Sequence, residues 1–166
     1  MLGLARRLPN AHFALVGSDG HGVVEALASR HPNVQMVPWQ PFGMVTKYLL
    51  AADVLLQPPS RVPLGVVGNT VLPMKLFLYL AAGRAILAPD LPDMRELLRN
   101  DHNALLVAPG DDAAAASALR RLLEDRELRE RLARAALETS AGLTWDARAE
   151  RVLGFLRERQ SAAAAR

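Results

Sequence analysis

The 166 residues include no cysteine, which removes disulfides and thiolate metal sites and leaves the redox compartment open. Lysine is nearly missing too: of the 20 basic residues, only Lys47 and Lys75 are not arginine. No apolar run approaches membrane-spanning length. The amino end, MLGLARRLPNAHFALVG, carries two arginines but no extended apolar h-region, so no secretory signal is expected. The absence of G-x-x-x-x-G-K-[ST] excludes a P-loop NTPase. Without G-x-S-x-G, nothing supports a Ser/His/Asp nucleophile system. His12, His21, His31 and His102 lack the i, i+4 spacing with a nearby carboxylate that zinc sites use, so no metal site is expected.

What is present describes a soluble globular chain, 51% hydrophobic and 22% charged. Its length suits one well-cored domain and is too short for two large ones. The net charge of +3, with a pI near 9.9, admits nucleic acid, a membrane surface or an anionic substrate as partner. In the C-terminal third, however, Glu124, Asp125, Glu127 and Glu130 interrupt Arg120, Arg121, Arg126, Arg129, Arg131 and Arg134. Alternation of that kind reads as a solvated, salt-bridged helix face, and no nucleic-acid partner is expected.

Short apolar runs alternate with segments of helical periodicity. Strands are expected at Phe13–Val16, Val34–Val37, Val54–Gln57, Ala85–Ala88 and Ala104–Val107. Helices are expected at Leu2–Leu8, Val23–Arg30, Met44–Ala52, Pro92–Arg99, from Asp111 or Asp112 to Glu124, Glu127–Thr139, and from an N-cap at Thr144 to Arg159. A further helix starts near Pro73 and closes at Gly83. The tail SAAAAR is expected to fray. Continuously apolar strands between helices of this length indicate an α/β fold, an open parallel sheet with helices on both faces.

Asp53 to Asp90 is the most informative stretch: an apolar strand, a Gly/Pro-rich loop, a helix and a second apolar strand. In open α/β sheets, ligands bind at such loops beyond the carboxyl ends of strands. The backbone amides of Gly65, Val66, Val67, Gly68, Asn69 and Thr70 can cradle phosphate, with charge from Arg61 and Lys75. Equally, this is a flexible loop with surface cations, and Lys75 points to solvent. Trp39, in a Pro-Trp-Gln-Pro loop, can stack on a nucleobase or pack over the sheet edge. His21 follows GSDG close to the same edge. Asp53 reads as a structural cap; Asp90 and Asp93 flank Pro92 and read as turn and cap.

Six segments in order, ALVGSDG, NVQMVPWQP, YLLAADVLLQPPS, PMKLFLYLAAGRAILAPD, ELLRNDHNALLVAPGD and LTWDARAERVL, resemble the C-terminal domain of group 1 (GT4-like) retaining glycosyltransferases of the GT-B, two-Rossmann-domain type. The resemblance covers nearly the whole chain. It implies a Rossmann-like donor-nucleotide-binding domain that transfers a sugar from an NDP-sugar to a glycan or lipid in envelope or exopolysaccharide assembly. It places Gly17, Ser18, Trp39, Gly65, Val66, Gly68, Asn69, Thr70, Lys75 and Leu78 at the donor, with no cofactor besides the NDP-sugar substrate and no assignable catalytic residue. Family members carry two glutamates eight residues apart; here those positions are Thr70 and Leu78. Leu78 cannot accept a ribose hydroxyl bond, a loss of about 1–3 kcal/mol. The family's opening strand and the start of its helix, with their diphosphate-clamping Arg and Lys, are not matched either. The expectation is therefore one domain, 1–166, truncated at its N-terminal strand and completed by an acceptor domain in cis or a partner subunit. The setting implied is cytoplasmic, with peripheral association at the inner membrane face. The closing helix, with Trp145, Val152, Leu153 and Leu156, is expected to cross to the other domain. Two alternatives stay open: a non-catalytic glycosyltransferase-like scaffold, and an NAD-dependent oxidoreductase, which G-x-G-x-x-G after the first strand would have marked.

Overall fold

The computed structural model describes residues 1–58 and 72–164. Its elements run α1 (Leu2–Arg7), β1 (Phe13–Ser18), α2 (Val23–Ala28), β2 (Val34–Pro38), α3 (Phe42–Ala51), β3 (Val54–Leu56), α4 (Lys75–Ala81), β4 (Ala85–Pro89), β5 (Leu105–Val107), α5 (Asp112–Glu124), α6 (Arg126–Ala141) and α7 (Trp145–Ala164). All strand pairs are parallel, as the apolar runs predict. They form two ladders rather than one continuous sheet: β1 with β2, and β3–β4–β5 in that order.

Two cores hold the layers together. In one, Leu4, Ala5 and Leu8 of the α1 region meet Phe13, Ala85, Leu87, Leu105 and the apolar faces of α5 and α6 (Ala115, Ala116, Leu119, Leu122, Leu128, Leu132). In the other, Leu55, Ile86 and Ala88 pack on Leu76, Leu80, Met94, Leu98 and Ala136. Residues 85, 87 and 86, 88 thus point to opposite faces of β4, and both faces are covered. Asp111 caps α5, its carboxylate accepting from the Ala113 and Ala114 amides at 3.0 and 2.8 Å. Asp125 caps α6, and Thr144 Oγ1 accepts from Ala147 N at 3.1 Å at the head of α7.

Four expectations need correction. The helix expected over Pro92–Arg99 is a single 3-10 turn at Met94–Glu96. Buried Asn103 takes over its backbone: Oδ1 accepts from the Arg99 amide at 2.7 Å, and Nδ2 donates to the Leu97 carbonyl at 2.9 Å. Asp93 does not cap that turn: it is buried, and neither carboxylate oxygen meets a donor among the described residues. Pro73 lies ahead of its helix, which begins at Lys75, although Gly83 does adopt the left-handed φ of +57° just past its end. The alanine tail continues α7 to Ala164 instead of fraying at Ser161.

The charged face of α5 and α6 is only partly paired within itself. Arg126 binds Glu130 at 2.6 Å, while Arg121 and Arg131 reach across to Asp101 at 3.9 and 2.9 Å. Among the described residues no helix is long and apolar enough to cross a membrane. No group of three metal-ligating side chains occurs among them either.

Candidate nucleotide-binding site

The carboxyl ends of β1 and β2 form one half of the site. Gly17 stands inside β1, not after it, with φ +103°; Gly20 follows at +84° and Gly22 at +136°. These are left-handed conformations that side-chain-bearing residues rarely adopt. A Cβ on Gly17 or Gly20 would meet nothing within 4 Å, so the turn borders open space. Ser18 organises it: the Gly20 amide donates to Ser18 Oγ at 3.0 Å, and Ser18 Oγ donates to Glu25 Oε1 at 2.8 Å. That bond from Ser18 holds the Glu25 carboxyl below its ordinary value.

Trp39 joins the same turn through its backbone, its amide donating to the Ser18 carbonyl at 3.1 Å. Its side chain is 73% exposed, so it does not pack over the sheet edge. Phe42, 68% exposed, opens α3 three residues later, and Val23 and Val24 at the start of α2 are also exposed. An apolar, glycine-lined rim thus surrounds the end of this ladder. His21 is exposed within the turn.

The other half belongs to α4, beside the carboxyl end of β3. Lys75 is its first residue. Burial pulls the Lys75 amine down from its ordinary value, although much of the side chain's surface is open. Leu78 is half-buried on the same helix, between the core residues Leu76 and Leu80. The Tyr79 hydroxyl approaches the Leu56 carbonyl at 3.5 Å, and burial raises its pKa. Asp90 directly follows β4 and binds Arg95 through both carboxylate oxygens, at 2.5 and 2.7 Å; hydrogen bonding to Arg95 lowers the Asp90 pKa.

Of the residues singled out from sequence, Gly17, Ser18 and Trp39 are brought together directly. Lys75 and Leu78 share one short helix, and no hydrogen bond links the two groups among the described residues. Arg61, Gly65, Val66, Val67, Gly68, Asn69 and Thr70 lie outside the described residues. Glu25 and the Gln57 side chain escaped the sequence reading, whereas Asp93 reads in the sequence as a cap. Glu25 lies seven residues from Ser18, with no helical or strand spacing to couple them. Gln57 Oε1 and the Asp93 carboxylate are buried without a donor among the described residues. Gln57 continues the β3 ladder, its amide donating to Leu87 O at 2.9 Å. A polar residue closing an apolar strand was the only available signal for it.

Parallel ladders with helices packed on them, and glycine-bearing turns at a strand end, give an α/β, Rossmann-like architecture. The chain belongs to the Glycosyl transferase-like family, whose profile matches residues 1–154. It is similar to the D-inositol 3-phosphate glycosyltransferase of Thermomonospora curvata, 28% identical over 120 residues, which are 72% of this chain and 26% of that protein. Its fold matches the C-terminal domain of a glycosyl transferase group 1 family protein (LpcC) from Francisella tularensis, with a TM-score of 0.65, 14% identity and coverage of 84% of this chain and 75% of that one. It also matches Anabaena Alr3699/HepE, solved in complex with UDP-glucose, with a TM-score of 0.68, 16% identity and coverage of 94% and 44%. The fold is therefore that of a C-terminal GT-B glycosyltransferase domain. The chain spans about a quarter of the curated relative's length, 26%.

Proposed function

We propose that this domain binds the nucleotide-diphosphate part of a sugar donor, and that the intact enzyme transfers the sugar, with retention, to a glycan or lipid acceptor. One observation carries this reading: an open glycine turn at Gly17 and Gly20 shares a hydrogen-bond network with a solvent-facing indole, Trp39, in a chain matched to a glycosyltransferase family. An exposed ring beside a turn without side chains suits a flat base stacked over a backbone that can approach it closely. Lys75 suits the diphosphate end. Burial lowers the Lys75 pKa, and an anion beside the amine would favour its charged form. As the glycosidic bond breaks, negative charge grows on the departing diphosphate, and a fixed cation there stabilises it. The UDP-glucose bound by HepE supports a uridine donor.

Gly65, Val66, Gly68, Asn69 and Thr70 are proposed to complete the phosphate cradle. The acceptor side is proposed to come from an N-terminal domain in cis or a partner subunit, working in the cytoplasm at the inner membrane face. The test is a fluorescence titration of Trp39 in a Trp145→Phe background with UDP-, GDP- and ADP-sugars. The expectation is saturable quenching by one nucleotide class, weakened about tenfold, or roughly 1.4 kcal/mol, in Lys75→Ala. No response to any of the three sinks the donor reading.

A second reading rests on Leu78. A half-buried leucine on α4 offers no acceptor for a ribose hydroxyl, which suits a non-catalytic binding or scaffold module. Leu78→Glu separates the two: a large gain in nucleotide affinity marks a decayed donor site, and an unchanged affinity marks a rebuilt or unused one.

A further inference from the structure

Glu25 brings a carboxylate to the rim of the glycine turn, and among the described residues no ion pair answers it. It is the third residue of α2, where a glutamate commonly turns back to bond the cap amide. Among the described residues the Gly22 amide does not donate to it. The carboxylate bends to Ser18 instead, Oε1 accepting from the hydroxyl at 2.8 Å. Its other oxygen lies over Gly22, where an added Cβ would stand 2.8 Å from Oε2. The half-buried side chain is therefore folded back over the turn. Ser18 also ties it to Trp39, whose amide donates to the Ser18 carbonyl at 3.1 Å. The Gly20 amide donates to the same Ser18 hydroxyl at 3.0 Å. One residue thus holds an acceptor-only group and an exposed indole beside the open space at Gly17 and Gly20.

A carboxylate repels a diphosphate and accepts hydrogen bonds, so the end of a nucleotide that suits Glu25 is the nucleoside. Resting on the donor reading above, in which the base stacks on Trp39, we propose that Glu25 reads the Watson–Crick edge of that base. It selects a base whose edge carries a ring N–H. Uracil N3 and guanine N1 each carry a hydrogen and donate it to a carboxylate oxygen. Cytosine N3 and adenine N1 present a lone pair at the same place, and a carboxylate repels it. Stacking cannot make this distinction: every base has a π-face, and the members of each pair match in ring size. The bond from Ser18 keeps Glu25 in its charged form and fixes one oxygen, so the carboxylate meets the base already oriented.

The test is titration of Trp39, in the Trp145→Phe background, with UDP, CDP, GDP and ADP. UDP should bind at least about tenfold more tightly than CDP, or GDP than ADP. A methyl group on uracil N3 or guanine N1 should remove that advantage. Glu25→Gln keeps the side-chain length and an acceptor for Ser18, and its amide can turn an N–H toward a ring lone pair. It should bring the two members of the pair to within about threefold of each other. Equal affinities within both pairs in the native chain overturn the proposal and leave the donor reading standing. So does a gap that Glu25→Gln leaves unchanged. A Glu25→Gln variant that weakens all four nucleotides alike also overturns it, and assigns the carboxylate to the ribose that they share. No response to any of the four overturns the proposal and the donor reading together.

Discussion

β4 and β1 are near-equals as sequences and opposites as structure. AILAP and FALVGS are both short apolar runs, yet all five residues of β4 are buried, whereas only Phe13 of β1 is. β4 lies between β3 and β5, with α5 on one face, α4 on the other, and α6 reaching the cores on both. Among the described residues β1 has one strand partner, and it has no fully buried residue after Phe13. Burial in a parallel sheet is thus conferred by neighbours more than by a strand's own residues. The half of the molecule that is well covered supplies rigidity. The half that is poorly covered carries the glycine turn and Trp39.

The widest gap between the halves should appear in truncations of comparable leucines. Leu87→Ala, in β4, is expected to cost about 2–5 kcal/mol in urea unfolding. Leu15→Ala, half-buried in β1, should cost less than half as much. Equal losses would break the comparison. Next in size is Asn103→Ala, which strands the Arg99 amide and Leu97 carbonyl and removes the 3.1 Å bond from Nδ2 to Thr139 Oγ1. About 1–3 kcal/mol is expected by the same measurement.

Asn33 plays the matching part on the open side. Its Nδ2 lies 3.0 Å from each of the carbonyls of Ala5, Leu8 and Ala11, three acceptors sharing two hydrogens, and it fastens α1 to the start of β2. Asn33→Ala should cost about 1 kcal/mol and should speed amide exchange in α1 but not in α5. The smallest effect is expected at Ser18. Glu25 is held below its ordinary pKa by Ser18, so the pair contributes stability above the unfolded carboxylate's pKa and loses it as pH falls through the folded value. The difference in thermal midpoint between the native protein and Ser18→Ala should therefore be present at neutral pH and close in acid. A difference that persists at about pH 3, below the usual carboxylate range, would assign the Ser18 contribution to the Gly20 contact instead.

Most elements were legible because each rests on local signals. The caps at Asp111 and Thr144 sit where side chains favour them, and Gly83 supplies the positive φ after α4. Sheet continuity was not legible, since which strand lies beside which depends on contacts far apart in sequence. The helix expected after Pro92 failed for a more local reason: Asn103, several residues further on, takes its backbone groups. At the site, glycines and a tryptophan in loops advertised themselves. Glu25, Gln57 and Asp93 acquired their meaning only from burial and from partners elsewhere in the fold.

The contact between α1 and α5 also has a kinetic consequence. Leu4 and Ala115 share a core, so nearly the whole intervening chain must be arranged before they meet. The α5–α6 hairpin and the β3–β4–β5 ladder close loops far shorter than this, and such closures come early. Docking of α1 therefore waits until the rest is in place. A ribosome releasing the chain from its amino end exports α1 long before α5 exists to receive it, and during that interval Leu4 and Leu8 remain unsheltered.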